Sequence, residues 1–432
     1  MKKTKLIKIL IILLAITFTA QSCNILGQRK QQGEPIELVW WKPFDDPRAV
    51  QPLIEEFQKA HPNIRISYVQ KNVETYEDEL LDALAAGRGP DIFSIHNDWL
   101  AKHEDKIVPA PESLLSLREF RENFLEVVNF DLVDQGKIYA LPMAVDILAM
   151  YYNRDILSSA GIARPPVTWE ELVDLTPKLT RHDSLGNFTR SAVALGTADN
   201  INRSPDILSL LMLQNGTIAS AKDQKTLTLE QEVRDAEGNA YSPGPRALEF
   251  YTQFANPAKV TYTWNNRANN SLEAFAGGQV GMIFSYAYLL PVLEGKAPFL
   301  NYAVAPVPQI DTGKRVNFAN YWAEAVSKQG KHQEAAWQFL KFITQKDVLK
   351  KYYEVQKVPS SRIDLVESQI SDPEIGVFAE NALSAKSFYK PDSDAVENIF
   401  VQMIGDVILR NITPDQAVSA ANQKINLLLR NF

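Results

Sequence analysis

Residues 36–70 read IELVWWKPFDDPRAVQPLIEEFQKAHPNIRISYVQ. The run 36–41 is apolar and β-prone. Val50, Leu53, Ile54 and Phe57 then recur at i, i+3, i+4 and i+7, the stripe of an amphipathic helix that His61-Pro62 stops. Ile64, Ile66 and Tyr68 alternate, as a second strand would. Strand, helix, strand within about 34 residues is the unit of an α/β layer with a mostly parallel sheet.

The same rhythm extends outward. The spacing predicts a helix over 76–86, a breaker at Gly87-Arg88-Gly89-Pro90 and a strand over 91–96. A strand follows over 147–152. Thr168-Trp169-Glu170-Glu171 then opens a helix, with Thr168 and Glu171 placed for a capping box and Leu172, Leu175 and Leu179 on the buried face. Further segments run over 270–276, 280–286 and 302–307, followed by a helix over 333–344 whose Ala336, Phe339, Leu340 and Ile343 share one face. Thr413-Pro414-Asp415-Gln416 supplies a cap, a first-turn proline and a reciprocal glutamine for a closing helix. No internal repeat or low-complexity segment is visible.

The 432 residues are 45% hydrophobic and 22% charged, an ordinary globular composition that suits two domains or one large one. The net charge is −7, so no basic excess favours DNA or RNA as a partner.

The first segment reads as an address. Lys2, Lys3, Lys5 and Lys8 precede the apolar run 9–17, and the small residues Thr19, Ala20 and Ser22 follow it. That order is a secretory signal, too short in its apolar part to span about 30 Å of hydrocarbon comfortably. Removing residues 1–22 takes four Lys and no acid, leaving 41 basic against 52 acidic residues, net −11. Cys23 is the only cysteine, so no intramolecular disulfide and no Cys-based metal cluster can form. Gly33, Pro35 and the polar run 28–34 read as a tether over 23–35.

Catalytic motifs are missing. His61, His96, His103, His182 and His332 include no i, i+4 pair suited to a helical metal site. There is no Gly-x-Ser-x-Gly elbow and no phosphate loop, and 277–281 (Gly-Gly-Gln-Val-Gly) lacks the context of a dinucleotide fingerprint. Neither a metal nor a cofactor is expected. A two-carboxylate glycosidase stays open, because acids are plentiful and sequence does not measure their separation. The pairs Tyr151-Tyr152 and Tyr352-Tyr353, read as strand neighbours, would point to opposite faces and so read as core plus surface rather than as ferric-iron ligands.

The aromatics Trp40, Trp41, Phe44, Trp99, Trp264, Tyr286, Tyr288, Tyr321 and Trp322 stand out, several of them at strand ends. In an open α/β sheet the ligand crevice lies outside the carboxyl ends of the strands. Rings there can stack on a ligand while Asp98, Asp146 or Glu324 accept its hydroxyl hydrogens; core packing is the competing reading for each ring.

The body resembles the extracellular solute-binding proteins of the carbohydrate-uptake type, maltose-binding-protein-like receptors of ABC importers. The resemblance rests on an ordered series of segments. Early in the chain these are 36–41, 57–66 (Phe-Gln-Lys-Ala-His-Pro-Asn-Ile-Arg-Ile), 84–93 (Leu-Ala-Ala-Gly-Arg-Gly-Pro-Asp-Ile-Phe), 136–142 (Gly-Lys-Ile-Tyr-Ala-Leu-Pro) with Tyr152-Asn153, and 166–172. Later come 273–282, 335–343 and 358–362. Cys23, directly after Ala20-Gln21-Ser22, resembles the acylated cysteine of a lipobox, although Ala20 stands where that motif usually has Leu.

The resemblance implies a two-lobed periplasmic-binding-protein fold, each lobe a mostly parallel sheet flanked by helices, with the ligand cleft between lobes. Crossings would fall near 142–150, 302–308 and 352–360. Lobe one would hold 36–144 plus 306–354, and lobe two 145–305 plus 355–432. Trp41, Asp98, Asp146 and Tyr288 would meet the ligand, with Trp264, Tyr286, Tyr321, Trp322 and Glu324 as further candidates. Asn320-Tyr321-Trp322 departs from the family's usual Gly-Gly pair. The implied function is a lipid-anchored, monomeric receptor outside the cytoplasmic membrane that delivers a small-molecule solute, a sugar, to a membrane permease. A non-sugar solute and a secreted glycan-acting enzyme are the alternatives.

Overall fold

The computed structural model describes residues 34–217, 228–234 and 238–430. The segment 1–22, Cys23 and all of the tether but its last two residues lie outside them. The strands that frame the molecule are, in chain order, β1 (Ile36–Lys42), β2 (Ile64–Gln70), β3 (Ile92–His96), β4 (Ala140–Leu141), β5 (Asp146–Ile147), β6 (Ala149–Asn153) and β7 (Arg181–His182). They continue with β8 (Phe188–Val193), β9 (Val280–Ser285), β10 (Tyr302–Ala305), β11 (Asn317–Asn320), β12 (Trp322–Val326) and β13 (Ala385–Lys386).

One sheet runs β2-β1-β3-β12-β4 and a second runs β10-β6-β9-β8-β7. A ribbon, β13-β11-β5, belongs to neither and joins them. The fold is therefore α/β and two-lobed, but its sheets are less parallel than the sequence suggests. β1 runs parallel to β2 and β3, whereas β12 is antiparallel to both β3 and β4. In the second sheet β8 and β9 are parallel, while β6, β7 and β10 all pair antiparallel. The reason is topological. β12 returns from the other lobe and β6 has just arrived from it, so each enters its sheet against the local direction.

The helix Pro47–Ala60 shows how the elements form. Asp46 caps it by accepting from the Arg48 N–H, and proline fills the first position, where no donor is missed. Its stripe Val50, Leu53, Ile54 and Phe57 is buried, and Phe57 meets Phe339 of the helix Gln333–Ile343 at 5.1 Å between ring centres. Each such side chain contributes about 1.5–3 kcal/mol through lost apolar exposure. His61 ends the helix by donating its N–H to the Phe57 carbonyl.

Two local expectations change. The Thr168 hydroxyl does cap the Glu171 N–H, but the Glu171 carboxylate binds Arg164 and the Val167 N–H instead of closing the box. Tyr352 and Tyr353 lie on the helix Lys346–Val355, not on a crossing strand. Both are buried, because Val348, Leu349, Tyr352 and Tyr353 form one apolar stripe; their hydroxyls donate to Asp45 and to the Met143 carbonyl. The closing helix Pro414–Leu429 has the full reciprocal cap of Thr413 and Gln416.

Three stretches carry the chain between lobes. Residues 142–148 lead from β4 to β6 and include β5. The return passes through β11, later than residue 306, since Gln309 still bonds Val167 and Trp169 beside the second sheet. The last follows residue 360, because the Leu125 N–H donates to the Ser361 carbonyl on the first-sheet side. The helix Ser393–Arg410 then packs with Ser204–Gln214, Pro243–Thr252 and Pro414–Leu429 around the second sheet.

Candidate ligand-binding site

The carboxyl ends of β3 and β9 meet at the ribbon. β12 lies antiparallel to β3 with Trp322 opposite His96, and β11 lies antiparallel to β5 with Asn320 opposite Asp146. Residues 96–98 from one lobe, 286–288 from the other and 320–322, running from the end of β11 into β12, are thereby brought together.

On the first-lobe side the pleat separates neighbours. Trp40 is fully buried, while Trp41 on the opposite face is partly open, with the Lys71 ammonium 3.9 Å from its ring centre. Trp322 is partly open too. It packs edge-on against Phe44 at 5.5 Å, Trp99 at 5.0 Å and His96 at 5.4 Å. Phe44 is 51% exposed. On the second-lobe side Tyr288, 43% exposed, stacks on buried Tyr286 at 6.3 Å and donates its hydroxyl to Asn202.

The carboxylates differ in their partners. Asp98 follows β3 and is almost wholly enclosed; its Oδ1 lies 2.5 Å from His96 Nδ1 and its Oδ2 3.4 Å from the Lys390 ammonium. Burial alone would raise its pKa, but the charges of His96 and Lys390 overcome that and bring it down to about 2. Asp146 accepts N–H bonds from Ile147, Ala287 and Tyr288 and forms no ion pair among the described residues, although the charge of Arg203 acts on it weakly. Burial therefore wins and pushes it up to about 6.

Of four other expected site residues, three stand behind this surface and Trp264 lies apart from it. Glu324 is wholly buried, its oxygens taken by Trp40, Ser94 and Lys42. Tyr321 points into the first lobe and donates to Asp131 at 2.7 Å. Tyr286 donates to Asp206 at 2.9 Å. Trp264 donates to Asn200 and lines a separate depression with Arg190, Tyr262 and Gln279, near the amino ends of β8 and β9.

The structure adds residues that the sequence did not single out. His96 bridges Asp98 and Asn320. Asp206 is buried in the apolar helix Ser204–Gln214, where a lone acid was a readable signal. Arg203, just before it, adopts φ 62°, a left-handed backbone that a non-glycine residue accepts only when its surroundings enforce it. Arg203 Nε and Asp206 Oδ1 are buried and make no hydrogen bond among the described residues, but both are in ion pairs: Arg203 Nε lies 3.2 Å from Asp206 Oδ2 and Asp206 Oδ1 lies 3.8 Å from Lys390. No group of three or more potential metal ligands occurs among the described residues.

Comparison with known proteins gives the family and the fold. The galactooligosaccharide-binding protein of Bacillus subtilis is 23% identical over 386 residues, covering 87% of this chain and 84% of that protein. The arabinooligosaccharide-binding protein of the same organism is 23% identical over 353 residues, covering 77% and 74%. Among solved structures, a cyclo/maltodextrin-binding protein complexed with maltotetraose superposes with a TM-score of 0.74 at 18% identity, covering 93% of this chain and all of that one. The GacH receptor of Streptomyces glaucescens gives 0.71 at 19% identity, covering 92% and 99%. These two structures speak for the fold alone. Residues 52–376 match the family model described as bacterial extracellular solute-binding protein. The chain belongs to that family, one of binding proteins and not of enzymes.

Proposed function

We propose that the protein captures a sugar or oligosaccharide between its two lobes by hinge closure, and passes it to the membrane permease of an ABC importer. The observation that carries this reading is the pairing of open aromatic faces, Trp41, Trp322 and Tyr288, with enclosed carboxylates where the strand ends of both lobes meet. Sugar rings offer C–H faces that stack on aromatics and hydroxyls that bond to carboxylates. The names of the Bacillus subtilis relatives agree with an oligosaccharide. In this reading Trp41, Asp98, Asp146, Trp322 and Tyr288 contact the solute, Tyr286, Tyr321 and Glu324 support the walls, and Trp264 lies apart from the cleft. Closure adds the second lobe's contacts only when solute fills the gap, so solute shifts the open–closed equilibrium. Periplasmic binding proteins as a class close around their ligands in this way.

A thermal-shift screen against an oligosaccharide panel tests the ligand class. A sugar at 100 times its dissociation constant adds about 2.7 kcal/mol, and a panel without any shift would remove the sugar. The chain is further proposed to be exported, monomeric and anchored through acylated Cys23, the sole thiol. Fatty-acid labelling that survives Cys23→Ser would refute the anchor.

A further inference from the structure

Lys390 sits in the segment between β13 and the helix Ser393–Arg410, in a place no sequence signal marks. Its ammonium lies 3.4 Å from Asp98 of the first lobe, 3.8 Å from Asp206 of the second and 2.8 Å from Glu397 of the helix that follows it. The side chains of Lys390, Asp98 and Asp206 are 3%, 4% and 1% exposed. Two more contacts join the same strips of chain. Trp99 Nε1 donates to Ser393 Oγ at 3.0 Å, and Lys102 lies 3.9 Å from Asp392.

We propose that Lys390 is a positioning residue, the pin of a clasp between residues 98–102 and 390–393 that biases the empty protein toward the closed spacing of the cleft. The proposal rests on the hinge closure argued above, and it makes ligand affinity depend on a residue that need not touch the ligand. The physical basis is a near balance. Burying Lys390, Asp98 and Asp206 carries a large desolvation cost, which their mutual attraction and their further partners His96, Arg203 and Glu397 offset only while Asp98 stays beside the ammonium. Opening separates Asp98 from Lys390 and rehydrates both. The net bias is thus small, as an equilibrium with both states populated requires. A clasp that raises the closed fraction improves apparent affinity by the same factor.

The test reads the empty protein. In the Cys23→Ser background, which leaves no other thiol, spin labels go on Val73→Cys after β2 and on Val292→Cys of the helix Leu289–Lys296, both exposed positions. Pulsed electron resonance then gives the distance distribution between lobes. The wild-type sequence should show a short and a long spacing. Asp98→Asn, which leaves Lys390 paired with Asp206 and Glu397, should deplete the short one, and so should Lys390→Met. Glu397→Gln, which alters only the pin's own side, should keep it. Should Lys390→Met fail to fold, Asp98→Asn decides alone. Two spacings in wild type that Asp98→Asn leaves unchanged would overturn the clasp and spare closure. A single spacing in wild type that a saturating oligosaccharide does not alter would overturn both.

Discussion

Tyr288 offers the second lobe's open ring, and it is held at three points: its N–H on Asp146, its hydroxyl on Asn202 and its face on Tyr286. A ring fixed in this way loses little entropy when a ligand stacks on it. Tyr288→Ala should weaken oligosaccharide binding by about 1–3 kcal/mol in calorimetry. The unfolding midpoint should barely move, since the ring is largely open; a collapsed midpoint with full affinity would make Tyr288 a packing residue. Asp98 and Asp146 differ in sign. Asp98, held at about 2 against roughly 3.9 in an unfolded chain, contributes stability that is complete above about pH 4 and lost as pH falls through 2. Asp146, raised to about 6, destabilises progressively as pH rises from about 4 to 6. Denaturation curves from pH 7 to 2 should therefore show Asp98→Asn losing its deficit in acid, and Asp146→Asn gaining on wild type as pH rises. Offsets independent of pH would contradict both placements.

At the scale of elements, periodicity made the framework legible: the stripe Val50, Leu53, Ile54 and Phe57 and the cap at Thr413 both read correctly from the chain. The alternation that separates Trp40 from Trp41 likewise follows from the strand itself. Strand direction was not legible, because β12 lies antiparallel to β3 through a passage across both lobes that no local pattern encodes. The clasp escaped for the same reason, since Lys390 acquires meaning only beside Asp98 and Asp206. Glu324 was misleading in the opposite way, its acidic type hiding a role as the buried partner of Lys42. The end of β8 depends on Gly196, whose φ is +107° and whose added Cβ would fall 2.5 Å from the Ala255 backbone nitrogen. Gly196→Ala should cost at least about 1–3 kcal/mol of stability from the backbone strain alone. Affinity per folded molecule should change little, so a variant that keeps its melting temperature would contradict the described turn.

For the whole molecule, a short ribbon joins the two sheets, and the proposed closure moves them as two bodies on that connection. The ribbon's pairing is short, Ala319 with Ile147 and Asn320 with Asp146, so small backbone changes there can be amplified into a large relative movement of the lobes. Asp146 lies on that ribbon and accepts the Tyr288 N–H, so in the proposed closure one residue would serve both the hinge and the ligand wall. The most direct measurement is small-angle X-ray scattering of the wild-type protein with and without a saturating oligosaccharide found by thermal shift. The radius of gyration should fall on saturation while the far-ultraviolet circular dichroism stays the same. An unchanged radius at saturation would contradict capture by closure.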